Sequence, residues 1–234
     1  MGHLQDVEAS LVPMNLTVVA ASGRIGGRIV EQALAAGHQV TAVVRDPTKV
    51  AADVRVVAVD LLDPARSALE SAVEEADAVL SGLGPRRRTE TGIASRGTGF
   101  VIDAMQAVHA RRLVVVSASP LGTVPSPARP KPPKHDPGDG FVMRHLLAPM
   151  ARAMYRKHYA DLALMEDDVR DSGLDWTIVR PPRLTNGPLT RSYRVASGRN
   201  VRGGFSVSRA DVADLMLRVI DDRSTIKDEL GIAS

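Results

Sequence analysis

The chain has 234 residues, of which 44% are hydrophobic, 3% aromatic and 24% charged, and 30 Lys/Arg against 27 Asp/Glu give a formal net charge of +3. It contains no cysteine, which excludes disulfides, thiolate nucleophiles and cysteine-held zinc or iron–sulfur centres. Acidic and basic residues are interspersed, which argues against a nucleic-acid footprint, and the six histidines show no paired ligand spacing, so no metal site is expected.

Residues 1–13 differ in character from the rest of the chain and are read as an N-terminal extension, leaving 14–234 as one domain of ordinary size. No apolar run approaches the roughly 20 residues that span a bilayer, and no basic start with an apolar stretch marks a signal peptide. A cytoplasmic protein without a membrane partner is the expectation.

Leu16 to Ala20 reads as a short apolar strand, followed by a small-residue turn and a helical pattern through Ile25, Ile29, Val30 and Leu34 that stops at Gly37. A second strand carries Val40 to Val44 and ends at Arg45-Asp46-Pro47, completing a βαβ unit. Val54 to Val59 is the next strand, Ala65 to Glu75 a helix, and Ala78 to Leu80 a strand before Ser81-Gly82-Leu83-Gly84. A helix follows from Ile93 to about Ala110, then a strand from Leu113 to Val116 that closes on Ser117-Ala118-Ser119. Pro120 to Pro137 is dense in proline and basic residues and is read as a long surface loop or lid without helix. A long helix is predicted over Arg152 to Ser172, a strand over Trp176 to Val179 and a late helix over Arg209 to Asp221. This alternation predicts an α/β fold, a doubly wound parallel sheet of the Rossmann type in a single domain.

Such sheets bind ligands at the carboxyl ends of their strands. Ala20-Ala21-Ser22-Gly23-Arg24-Ile25-Gly26-Gly27 sits there, between the first strand and the first helix. Gly23 lets the backbone approach a pyrophosphate, and Gly26 allows close packing of helix on sheet. The amides of Arg24 and Ile25 can donate to phosphate oxygens, with Ser22 adding a hydroxyl. About 20 residues on, where an acidic side chain would bind the ribose hydroxyls of NAD, the strand ends in Arg45, which suits a 2′-phosphate. Arg24 would form the other side of that clamp, so NADP(H) is the expected cofactor. A merely solvated arginine is the competing reading of either side chain.

This loop resembles the GATGxxG turn of atypical short-chain dehydrogenases, with Ala20 at the position of the first glycine. Asp60-Leu61-Leu62-Asp63 is similar to the adenine-contacting motif of that superfamily. The segment from Ser172 to Pro182 is similar to its sixth-strand signature, and Ser208-Arg209-Ala210-Asp211-Val212-Ala213 to its late helix. Within it the chain resembles NmrA-like proteins and the biliverdin reductase B or flavin reductase type. The resemblance implies that Ser22, Arg24, Ile25, Arg45, Asp60, Leu61, Gly82 and Leu83 line the dinucleotide, and that Ser117, Ser119 and Pro181 lie near the nicotinamide.

The Tyr-x-x-x-Lys pair of many such dehydrogenases is missing, because Tyr155 is followed four positions on by Tyr159, and Lys157 falls on another helical face. Flavin-reductase relatives manage without that pair, since hydride can pass directly to a stacked acceptor. An NADPH-dependent oxidoreductase acting on a flavin, quinone or similar planar acceptor is therefore the leading expectation. A redox-sensing NADP(H)-binding protein of the NmrA-like kind is the alternative, and a sugar-nucleotide epimerase or dehydratase a weaker one. Catalytic candidates are Ser117, Ser119 and Glu166. In some flavin-reductase relatives histidines occupy the positions of Glu166 and Arg183, and Glu166 itself is read as a solvated helix residue. His145 and His158 are read as helix residues, and Arg86-Arg87-Arg88 as a solvated run or an attractor of anions. Tyr155, Tyr159, Leu162, Met165 and Val169 form a stripe that packs internally or supports a homodimer.

Overall fold

The computed structural model describes residues 12–50, 53–85 and 92–234. The Arg86-Arg87-Arg88 run and residues 1–11 of the expected extension lie outside the described residues. The first βαβ unit runs from β1 (Asn15–Val19) through α1 (Gly26–Ala35) to β2 (Gln39–Val44). Gly37 closes α1 in the left-handed conformation at φ 82°, where its own amide bonds back to Leu34 and that of His38 to Ala33. Strand β3 (Arg55–Ala58), helix α2 (Arg66–Val73), β4 (Ala78–Ser81), α3 (Ile93–Ala107) and β5 (Arg112–Val116) continue the alternation.

Beyond β5 come α4 (Ala148–Met154), α5 (Arg156–Asp171), β6 (Asp175–Arg180), β7 (Arg183–Thr185), β8 (Arg194–Ser197), β9 (Ser206–Ser208), α6 (Arg209–Arg218) and β10 (Asp228–Ala233). The main sheet has the order β3-β2-β1-β4-β5-β6-β10-β8. Every pairing in it is parallel except that of β8 with β10. The order reverses beside β1, between β2 and β4, which is where a doubly wound sheet leaves its binding crevice. The fold is thus the expected Rossmann type, and β7 and β9 form a separate parallel pair.

The central strands are runs of aliphatic side chains because both faces of the sheet are covered. One face packs on α2, α3 and α5 through Leu69, Met105, Leu162, Met165 and Val169. The other packs on α1 and α6 through Ile29, Val30, Val212 and Met216. Three expectations are corrected. The long helix over 152–172 is two helices broken at Tyr155, whose φ of −111° and ψ of 22° depart from helical values. The helix from Ile93 stops at Ala107, and His109 follows at φ 60°. The segment after β5 is no free surface loop: Ser119–Thr123 forms a 3₁₀ turn, and Leu121, Ser126 and Asp136 are buried.

Candidate functional site

The turn after β1 is shaped by close backbone approach. A Cβ on Gly26 would lie 2.2 Å from the carbonyl oxygen of Ala20, and one on Gly23 would lie 2.9 Å from the same atom. A Cβ on Gly82, just past the end of β4, would sit 2.9 Å from the amide nitrogen of Gly26. The two strand ends and the helix start are therefore in contact at three glycines. Ala20 adopts φ 58°, so the residue standing where relatives of this loop carry glycine keeps a glycine-like backbone at a steric cost of about 1 kcal/mol. Helix α1 begins at Gly26 with no side chain capping its first amides. Among the described residues the amides of Arg24 and Ile25 make no backbone hydrogen bond. Unpaired amides converging at a helix N-terminus fit a phosphate group.

Beside this cradle, Ser22, Arg45, Asp60, Leu61 and Leu83 line one crevice together with Val43 and Ile93. Asp60 is held by an Asx turn, accepting from the amide of Leu62 at 3.1 Å. Arg24 lies close to Arg209 at the start of α6, and burial together with the Arg24 charge pulls the Arg209 guanidinium below its ordinary pKa. Two like charges within electrostatic reach of one another are what an anionic ligand would relieve. Arg209 is anchored in turn by Asn186 Oδ1 at 2.7 Å. The chain thus presents a glycine cradle and two uncapped amides at a helix N-terminus, a geometry that fits the phosphates of a dinucleotide.

At the carboxyl ends of β5 and β6, the backbones of Ser117 and Ser119 bond to Val179 and Pro181 at 2.8 and 2.9 Å, tying the two predicted segments together. Ser117 Oγ donates to Glu166 Oε1 at 2.7 Å. Glu166 is not the solvated helix residue expected from sequence: it is fully buried and accepts a fork of hydrogen bonds from Arg180, with a further one from Arg170. Burial pushes its carboxyl up, but the Arg180 charge and hydrogen bond, then Arg170 and Ser117, outweigh this and hold it below the usual carboxylate range. It is therefore a carboxylate at neutral pH and cannot act as an acid. Glu229 pairs with both arginines, and Asp167 accepts from Ser126 Oγ, the amide of Ala128 and Arg170. This network fastens the segment after β5 to α5 and β10.

Above it opens a cavity of about 620 Å³. Its walls include Ser117, Ser119 and Pro181 on the sheet side and Met143, Leu147, Met150, Met154, Tyr155 and Tyr159 on the helical side. The predicted stripe divides: Leu162, Met165 and Val169 are core, whereas Tyr155 and Tyr159 face this cavity. His158, read from sequence as a plain helix residue, also lines it; its Nδ1 is buried without a partner, and burial lowers its pKa, favouring the neutral ring. Arg183 and Arg209 stand at the same cavity, and among the described residues no carboxylate does. Sequence reasoning missed Arg180, whose position in an apolar strand next to two prolines was its only signal, and it missed Arg209 as a rim cation. Among the described residues no group of His, Asp and Glu is placed to hold a metal ion, and no helix is long and apolar enough to cross a membrane.

Residues 20–223 match a family model described as NAD(P)H-binding. The chain is 30% identical over 215 residues to the uncharacterized protein YwnB of Bacillus subtilis, covering 87% of this chain and 91% of that one. A short-chain dehydrogenase/reductase of Veillonella parvula, solved in complex with NADP, superposes with a TM-score of 0.72 at 17% identity, covering 95% of both chains. ChuY, an anaerobilin reductase of Escherichia coli O157:H7, superposes with a TM-score of 0.70 at 22% identity, covering 93% of this chain and 96% of that one.

Proposed function

The chain belongs to a family of NAD(P)H-binding proteins, and from that premise we propose that it is a cytoplasmic, NADPH-dependent reductase of a flavin, quinone or similar planar acceptor, of the atypical short-chain dehydrogenase and NmrA-like kind. The observation that carries this reading is the continuity of the site. The phosphate cradle and the 620 Å³ cavity both open at the carboxyl ends of the parallel strands, and Arg209, which feels the Arg24 charge of the glycine turn, lines that cavity beside Ser117 and Ser119, opposite a mostly apolar helical wall. Such a cavity takes a flat, weakly polar ligand.

The reduced nicotinamide supplies the hydride when bound. Arg45, with Arg24, engages the 2′-phosphate, and the amides of Arg24 and Ile25 hold the pyrophosphate. Ser117 has its hydroxyl proton committed to Glu166, so its lone pairs are left for an amide donor of the ligand. Tyr155 is followed by no lysine at the fourth position, so the residues here orient the two partners and exclude water, and a proton reaches the reduced acceptor from solvent.

A panel of riboflavin, FMN, menadione and a linear tetrapyrrole tests this, with NADPH oxidation followed by absorbance. Turnover with at least one of them supports the reading. NADPH binding without turnover on any of them overturns it and leaves the alternative of a dinucleotide-sensing protein.

A further inference from the structure

Residues 120–160 hold seven Lys/Arg against two Asp/Glu, a net +5 in a chain whose total is +3, so the remainder of the molecule carries −2. Neither acid of the segment is fully exposed. Asp136 is buried and accepts from the amides of Gly138 and Asn200, and Asp139 accepts from the side chain of Asn200. What faces outward is therefore cationic: Lys131, Lys134, Arg156 and Lys157 are exposed, with Arg144 and Arg152 partly so.

The same segment bares its apolar side chains. From Phe141 to Met154 the backbone is helical, with a wide π-type turn over Met143–Leu147 running into α4. Val142, Leu146, Met150 and Met154 recur every fourth residue, and each is more than half exposed; Phe141 is 80% exposed. Exposed apolar side chains normally occur singly; a spaced row of this kind marks a contact surface. Met150 and Met154 also line the cavity, so the outer stripe and the cavity wall are one continuous apolar surface.

We propose that this face docks on an anionic lipid surface, the helical stripe entering the headgroup boundary while the flanking Lys and Arg pair with lipid phosphates. An apolar helix face in a segment of four exposed cations and no fully exposed acid is the pattern of interfacial helices. A second copy of the chain fits less well, because a twofold contact would set this cationic face against itself with no fully exposed carboxylate of the segment to pair. A bilayer contact also differs from a span: it needs one apolar stripe, not a run of about 20 apolar residues. Where the stripe meets the cavity, an acceptor dissolved in the lipid would have a dry route inward; that consequence alone rests on the proposed reductase activity.

The test is vesicle flotation of the full-length protein without cofactor, using phosphatidylcholine alone and phosphatidylcholine with about 30 mol % phosphatidylglycerol. Flotation with the anionic vesicles only, declining as salt is raised, is expected. Leu146→Asp should reduce partitioning about tenfold or more, and Arg156→Glu with Lys157→Glu should do the same, while NADPH affinity and the melting temperature stay at wild-type values. No binding to anionic vesicles, or binding that Leu146→Asp leaves intact, overturns the proposal. A dimer in light scattering that Leu146→Asp splits, with no lipid binding, overturns it in favour of a second copy. Because turnover is not read, failure of the reductase assignment would leave this result unaffected.

Discussion

Glu166→Gln removes the charge at the centre of the buried network while keeping the shape of the side chain. In the native protein this carboxylate accepts from Ser117, twice from Arg180 and once from Arg170. Arg180 is only 4% exposed, so water cannot replace the lost charge. Removing one partner of a buried ion pair costs about 3–5 kcal/mol. Glu229 still pairs with both arginines, and Asp167 with Arg170, which places the expected loss at the low end, about 3 kcal/mol. For a chain of this length that corresponds to a fall of about 6–12 °C in melting temperature. The pH dependence carries a sign. The folded pKa of Glu166 lies below the unfolded one, so its contribution is present above the ordinary glutamate range and fades as pH falls through the lowered value. Urea unfolding from neutral to acid pH should show a larger deficit for the variant at neutral pH than at the acid end. A deficit below about 1 kcal/mol at pH 7, the range of a surface pair, would refute the claim that this charge is held in a dry, interdependent network.

Gly26→Ala should abolish dinucleotide binding in calorimetry and destabilise the fold by about 1–3 kcal/mol, since its Cβ would meet the rigid backbone of Ala20 at 2.2 Å; wild-type affinity would contradict the close approach of helix and strand. Ala20→Gly should raise stability by about 0.5–1 kcal/mol in urea unfolding, the relief of φ 58° exceeding the added freedom of the unfolded chain, and a loss of stability would contradict it. Burial holds His158 below its ordinary pKa, so the unfolded chain binds the extra proton first. Stability should decline as pH falls from about 6.5 toward the lowered value, and His158→Gln should flatten that decline; an unchanged slope would show that the ring is solvated.

The strands and helices that carry the dinucleotide site were legible because they are locally determined. Aliphatic runs buried on both faces, a glycine turn and a following helix specify β1, α1 and β2 almost residue by residue, and Ser22, Arg45, Asp60, Leu61 and Leu83 come together in one crevice. Strands β8 and β10 were not foreseen. Their pairing joins Arg194–Ser197 to Leu230–Ala233, more than 30 residues apart, and β8 carries exposed side chains that mimic a loop. Glu166 was misread for a related reason. On its helix it looks like any surface glutamate with Arg170 four positions on, and only Arg180 and Ser117, drawn in from β6 and the end of β5, make it a buried charge. The exposed row from Val142 to Met154 was not legible either, because a one-sided stripe interrupted by arginines never forms the continuous apolar run that marks a spanning segment.

The clamp for the second phosphate is tested most directly by calorimetric titration of NADPH and NADH into wild-type protein and Arg45→Ala. The expected result is tighter NADPH than NADH binding, with the substitution weakening NADPH by about tenfold or more and leaving NADH nearly unchanged. Equal affinity for the two nucleotides, or NADPH binding indifferent to Arg45→Ala, would contradict the assignment of the crevice at the carboxyl ends of β1 and β2 to a 2′-phosphate.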